Sequence, residues 1–222
     1  ISNLLKKDGL FIVEVHYLKS LIESNQYDTI YHEHMRYYSL ECLNNLLSSH
    51  GFKIFNAKLI NTHGGSIRVF ASRSNEYKES NSFKQILEKE QEFLYKENNL
   101  FSYKDIVQKQ KTELLQTLID LKNENKTVFG IGAPSRGTTL MNFCGIDSSL
   151  VSYICEIKGS HKIGKFLPGT SIPVLDEEIL FKEQPDYVLL LSWHISKELI
   201  NNLKKKGLKS KFIIPLPEVR II

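Results

Sequence analysis

The chain has 222 residues, 41% hydrophobic and 24% charged, which suits one large domain or two small ones with an ordinary soluble core. Its net charge of +4 is a mild excess, and no apolar run approaches the roughly 20 residues of a membrane span. Nucleic acid and membrane are therefore not expected partners, and three scattered cysteines (Cys42, Cys144, Cys155) form neither a disulfide framework nor a zinc spacing, which points to a reducing cytoplasm.

No signal peptide opens the chain, and it starts on Ile1 rather than Met, so a processed product or a fragment is expected. Residues 3–8 read as the tail of a helix ended by Gly9, and residues 11–15 as a buried strand. A short helix-like run, 18–23, follows. Residues 39–50 read as an amphipathic helix capped by Ser39, with Leu40, Leu43, Leu46 and Leu47 on one face and Gly51 as its stop. Residues 52–60 and 66–72 read as strands. The turn between them, Asn61 to Gly65, is short enough to make them antiparallel. Strand, loop, helix and antiparallel pair together resemble the last third of a class I S-adenosylmethionine methyltransferase. Residues 72–82 read as a polar linker. Residues 83–123 carry helical periodicity broken near Asn98-Asn99, with Leu114, Leu115, Leu118 and Leu121 as an apolar stripe.

From Thr127 strands and helices alternate. Strands are expected at 128–131, 151–155, 186–191 and 212–214, and helices following the run 132–139 through Met141, at 177–182 and at 195–206. The fold class is therefore α/β: a first part that resembles the end of a Rossmann-like methyltransferase sheet, then a second Rossmann-like, doubly wound domain. The expected divisions are 1–75, a helical connector 76–126, and 127–222. Lys204, Lys205, Lys206, Lys209 and Lys211 hold much of the positive charge; a solvated helix end capped by Gly207 explains them better than a nucleic-acid patch.

Two stretches carry candidate chemistry. Tyr27-Asp28-Thr29-Ile30-Tyr31-His32-Glu33-His34 holds two imidazoles, two carboxylates and two phenols on a connection without apolar periodicity. Catalytic groups favour such connections, and histidine moves protons near neutral pH. A polar surface loop is the alternative. The two histidines stand two apart, which is not a metal-ligand spacing. The second stretch is the glycine-rich turn from Gly130 to Gly137. Glycines let a backbone approach a phosphate, the next helix offers unpaired N–H groups, and Arg136 adds a forked cation. The dinucleotide fingerprint is imperfect: Gly130 and Gly132 fit, Gly137 comes two positions late, and Ser135 stands where the third glycine belongs. Glu156 is the candidate ribose anchor for NAD. The alternative is a structural strand-to-helix turn. Residues 158–169, with Lys158, His161, Lys162 and Lys165, form a basic, glycine-rich loop able to cover an anion or simply to be solvated. Trp193, after the third strand, either stacks on a base or packs.

Taken together, Ile30-Tyr31-His32-Glu33-His34, Tyr38-Ser39, His63-Gly64-Gly65-Ser66-Ile67-Arg68-Val69, Gly132-Ala133-Pro134-Ser135-Arg136-Gly137, Leu167-Pro168-Gly169 and Pro215-Leu216-Pro217-Glu218-Val219 resemble, in one order, the sugar C-methyltransferases. That family methylates a carbon beside the ketone of a nucleotide-linked 4-keto-deoxysugar. The resemblance implies S-adenosylmethionine as cofactor, a nucleoside-diphosphate sugar as substrate, and catalytic positions at Tyr31, Glu33 and His34. It implies substrate contacts near Gly132, Ser135, Arg136, Gly137, Lys158 and Lys165. His34 is then the candidate base with His32 its competitor, Glu33 an orienting group and Tyr31 a donor to the enolate oxygen. The family's zinc cysteines and its glycine-rich cofactor loop do not occur in this chain. The expectation is a C-terminal portion of such an enzyme. The alternatives are a non-catalytic nucleotide-sugar-binding module and an NAD-dependent sugar-nucleotide enzyme.

Overall fold

A computed structural model describes residues 1–222. The chain divides into two compact units, Ile1–Ser24 with Met35–Tyr103, and Asn25–His34 with Lys104–Ile222.

The first unit is built on strands β1 (Leu10–His16), β2 (Lys53–Ile60) and β3 (Ser66–Ser72) in the order β1-β3-β2. β3 runs antiparallel to both neighbours, so β1 and β2 are parallel to each other. Alternation decides the faces. Ile67, Val69 and Ala71 of β3 are fully buried and join Phe11, Val13, Val15, Ile54 and Ala57 in one core. Helix α1 (Leu18–Glu23) follows β1. Helix α2 (Leu40–Ser48) adds Leu40, Leu43 and Leu47 to the core, and helix α3 (Asn81–Gln91) adds Phe83. The Ser39 hydroxyl accepts from Cys42 N–H at 3.0 Å, the cap read from the sequence. Leu46 lies outside the stripe.

Two expectations are corrected in this unit. Residues 3–8 are turns, not a helix tail; Leu4 N–H to Ile1 C=O (2.9 Å) and Gly9 N–H to Lys6 C=O (3.0 Å) close isolated turns, as expected for a stretch too short to sustain a helix. β1 is covered on one face only, with Ile12 51% exposed, because it is an edge strand of an antiparallel sheet rather than a two-sided parallel strand. The helical region breaks where the sequence breaks. After a π-helical segment, Glu92–Lys96, Asn98 takes φ +57° and α4 (Asn99–Asn123) begins. Glu90 of α3 is wholly buried. Its carboxylate accepts from the N–H groups of Leu40 (2.6 Å) and Glu41 (2.9 Å), a second cap on α2.

The second unit holds β4 (Val128–Ile131), α5 (Ser135–Cys144), β5 (Ile154–Glu156), β6 (Val174–Asp176), α6 (Glu178–Glu183), β7 (Tyr187–Leu190), α7 (Ser196–Lys205), β8 (Lys211–Ile214) and β9 (Arg220–Ile221). Its sheet runs β6-β5-β4-β7-β8-β9, parallel except for β9. This is the mixed α/β, Rossmann-like parallel sheet that strand–helix alternation predicts. Every residue of β4 is buried, as in a strand covered on both faces. Leu114, Leu118 and Leu121 of α4 are buried in a stripe, with Leu115 at its margin. β5 starts later than expected because Leu150 and Val151 N–H turn back onto Asp147 C=O. β6 and β9, three and two residues long, are too short to show a period in sequence. Strand order reverses between β4 and β7, so the crevice beyond their carboxyl ends is where such sheets bind ligands.

Candidate functional site

The turn after β4 is held by its own neighbours. Gly132 takes φ +81°, donates its N–H to Cys155 C=O at 2.8 Å, and a Cβ there would lie 2.7 Å from Ser192 Oγ. A Cβ on Gly137, in the first turn of α5, would lie 2.9 Å from Leu191 Cβ. Both glycines thus let α5 and its turn approach the end of β7. Ala133 N–H donates to Glu156 Oε2 at 2.9 Å, and Lys162 Nζ donates to Ala133 C=O at 2.7 Å. The other Glu156 oxygen accepts from Ile157 N–H. Glu156, the candidate ribose anchor, is therefore occupied in shaping the turn, and the NAD reading loses its acidic residue.

The segment Asn25–His34 lies in the same unit. Its single 3-10 turn, Tyr27–Thr29, is buried. The Tyr27 hydroxyl bonds to Gln110 Oε1 and lies 3.5 Å from Cys144 Sγ, and its ring tilts against Phe143 with 5.1 Å between centroids. Gln110 in turn donates to Pro215 C=O. Asp28 has no exposed surface. It accepts from Arg136 Nε at 2.8 Å, from Arg136 Nη2 at 2.9 Å and from Trp193 Nε1 at 2.7 Å. The guanidinium also lies over the indole, 4.8 Å from its centroid. Arg136, expected on a diphosphate, is thus placed on Asp28, and its side chain is only 12% exposed. Trp193 packs.

Past this anchor the chain turns through Tyr31 N–H to Thr29 C=O (3.1 Å) and His34 N–H to Tyr31 C=O (3.0 Å). That last turn sets the Tyr31 and His34 rings edge to face at 4.9 Å, and Tyr31 to His32 at 6.0 Å. His32, Glu33 and His34 are exposed and Tyr31 is half-buried. Burial, then the Glu33 carboxylate, push the Tyr31 phenol above its usual range, while Arg136 and a hydrogen bond with the Ser135 hydroxyl pull the other way. Tyr31, Glu33, Ser135 and Arg136 therefore share one neighbourhood at the N-terminus of α5. The orienting partner beside His34 is the Tyr31 ring. No group of three or more His, Cys, Asp or Glu side chains is arranged to hold a metal ion.

Residues 158–169 are folded back and tied, not loose. Gly164 N–H reaches Val174 C=O (2.9 Å), Val174 N–H reaches Lys165 C=O (2.8 Å), and Asn142 Nδ2 donates to Pro168 C=O (2.8 Å). Lys158 is paired with Glu178 at 2.8 Å, both exposed, and its pKa is raised by that carboxylate. Lys165 is exposed; Lys162 points inward to Ala133.

A family model for the C-terminal domain of C-methyltransferases matches residues 61–217. The chain is also 36% identical over its whole length to C-methyltransferase NovU of Streptomyces niveus. The chain belongs to the C-methyltransferase family. It corresponds to the C-terminal portion and spans about half, 53%, of that relative's length.

Sequence reasoning missed Asp28, Glu156 as a clamp on the turn, and Lys162 as its counterpart. For Asp28 a signal was present: a carboxylate directly after an aromatic residue in a motif already singled out, with an arginine in the other motif as its natural partner. Nothing local in the sequence marks Lys162.

Proposed function

We propose that the chain holds a nucleoside-diphosphate-linked keto-deoxysugar and supplies the proton-transfer groups for S-adenosylmethionine-dependent C-methylation. The observation that carries this is the Tyr31–His34 pair, edge to face at 4.9 Å. It stands in one compact unit with α5, and Ser135 and Arg136 at the start of that helix are among the groups that act on the Tyr31 phenol. A ketone acidifies the neighbouring C–H. His34 takes that proton as general base, with His32 as the competing base, and Tyr31 donates to the enolate oxygen that forms. A phenol with a raised pKa keeps its proton and remains a donor at neutral pH. The Glu33 charge supports the imidazolium. Ser135 and the exposed Lys165, with Lys158, meet the sugar nucleotide, and its diphosphate is the anion the basic loop suits.

The methyl donor of the family is S-adenosylmethionine, but the residues of the first unit do not fit it. Their one adjacent pair of glycines, Gly64 and Gly65, turns the β2–β3 hairpin. The same observation favours a second reading, a nucleotide-sugar-binding module without methyl transfer. Calorimetric titration of the chain with nucleoside diphosphates, NAD and S-adenosylmethionine tests the binding part: heat with a nucleoside diphosphate is expected, and heat with NAD alone would refute it. Solvent deuterium exchange at the sugar carbon beside the ketone, in the complete enzyme, separates the two readings. His34→Ala is expected to abolish that exchange while leaving sugar-nucleotide affinity nearly intact, because a base acts on the transition state. Normal exchange in His34→Ala with loss in His32→Ala would reassign the base.

A further inference from the structure

We infer that Asp28, through its fork with Arg136 and its bond to Trp193, is the positioning residue that fixes the Tyr31–His34 segment at the switch point of the parallel sheet. The functional meaning rests on the proposed role of that segment; the mechanical claim does not. Three separate pieces of chain meet at this carboxylate. Asp28 lies in the segment Asn25–His34, Arg136 in the first turn of α5 after β4, and Trp193 directly after β7. β4 and β7 are the two strands between which the strand order reverses. The carboxylate therefore ties the segment to both walls of the crevice.

The backbone of residues 27–34 is folded by short local turns: Thr29 N–H to Gln26 C=O, Ile30 N–H to Tyr27 C=O, Tyr31 N–H to Thr29 C=O, and His34 N–H to Tyr31 C=O. Such a run of turns has little stiffness of its own, so its side-chain anchors set where it sits. Tyr27 and Asp28 are two such anchors: Tyr27 meets Phe143 and Cys144 at the C-terminal end of α5, and Asp28 joins the first turn of α5 to Trp193 beyond β7. Tyr31 stands three residues further on. A wholly buried carboxylate with a bidentate arginine is also costly to open, since removing one partner leaves the other charge buried and unpaired. Arg136 on this account acts through Asp28 on the position of the segment, rather than as the principal phosphate ligand.

Trp193 is the one tryptophan of the chain, so its fluorescence reads this contact directly. The experiment is hydrogen exchange of the residue 29–34 amides, with Trp193 emission, in the full chain and in Asp28→Asn and Arg136→Gln. Loss of the charge-assisted bonds should raise exchange of those amides by about tenfold to a hundredfold and shift the emission of Trp193 in both variants. Amides of β4, β7 and β8 should stay protected. Unchanged exchange at 29–34 would overturn the inference. So would an equal rise across the whole second unit, which would make the pair a general stabiliser. If Asp28→Asn does not fold, Arg136→Lys, which keeps the charge but loses the fork, gives the same reading with a smaller rise. A failure of the catalytic reading would appear in sugar-carbon exchange and leave these amides unaffected.

Discussion

Substituting Gly132 by alanine separates a glycine needed for packing from one needed for phosphate approach. Gly132 has φ +81°, and a side chain held in the left-handed region costs about 1–2 kcal/mol. Its new methyl would also stand 2.7 Å from Ser192 Oγ, inside contact distance. Making room for an overpacked group costs about 1–3 kcal/mol. The two terms have different causes and can be pulled apart. Ser192→Ala removes the Oγ, and the remaining Ser192 Cβ is 3.6 Å from the new methyl, an ordinary contact. In that background only the backbone strain should persist, about 1–2 kcal/mol. The cycle should therefore show a coupling of about 1–3 kcal/mol, relieving in sign. The assay is urea unfolding of the wild type, both single variants and the double variant, followed by far-ultraviolet circular dichroism and Trp193 emission. A loss under about 0.5 kcal/mol in Gly132→Ala, within the range of a neutral surface change, would refute the packing account. So would strict additivity. If nucleoside-diphosphate affinity fell while stability held, the glycine would serve the ligand instead.

Burial holds the Glu90 carboxyl above its ordinary 4.5, so the folded state keeps that proton more tightly than the unfolded chain. Stability from this group is greatest below 4.5 and falls as pH rises through the raised value; the difference between wild type and Glu90→Gln across that window, read by urea midpoints, should show this slope, and a flat difference would contradict it. Cys42 is exposed, while burial raises the Cys144 thiol and pushes Cys155 up to about 12, so a thiol reagent should label Cys42 in the native protein and all three cysteines after denaturation. Rapid native labelling of Cys155, scored by mass spectrometry, would contradict the buried β5. The chain by itself should show weak or no calorimetric binding of S-adenosylmethionine, and tight binding would overturn the view that its glycines serve turns and packing.

The parallel sheet was legible because its central strands are continuous apolar runs bounded by turn residues. Residues 128–131 and 187–190 could hardly be anything else in an alternating pattern. The Ser39 cap and the helix break at Asn98 were legible for the same reason: each is a local preference of one residue type. What escaped the sequence is non-local. Glu90 reads as one more charge on a solvated helix face, yet its side chain caps a helix fifty residues earlier in the chain. Arg136 beside glycines reads as an anion site because its partner, Asp28, lies 108 residues away. β6 and β9 have no local signature at their lengths and exist because a neighbouring strand supplies their hydrogen bonds.

The pairing of Asp28 with Arg136 changes how charge is distributed at the crevice. Before it is considered, Arg136 is the obvious cation for a diphosphate. With it, two of its nitrogens face a buried carboxylate and the local charge is neutralised. Lys162 is turned onto the Ala133 carbonyl, and the Glu156 carboxylate sits on Ala133 N–H. The N-terminus of α5 is thus framed by compensated groups, which suits an uncharged ligand portion better than a phosphate. The exposed positive charge lies further along, at Lys165 on the folded-back loop after β5. A ligand that is anionic at one end and a neutral keto sugar at the other matches this gradient. On the proposed function, its sugar would lie by Tyr31 and Ser135 and its diphosphate by the loop. The salt dependence of nucleotide binding should then follow Lys165→Ala more than Arg136→Gln, since screening acts on exposed charge and little on a buried pair. The opposite order would return Arg136 to the phosphate.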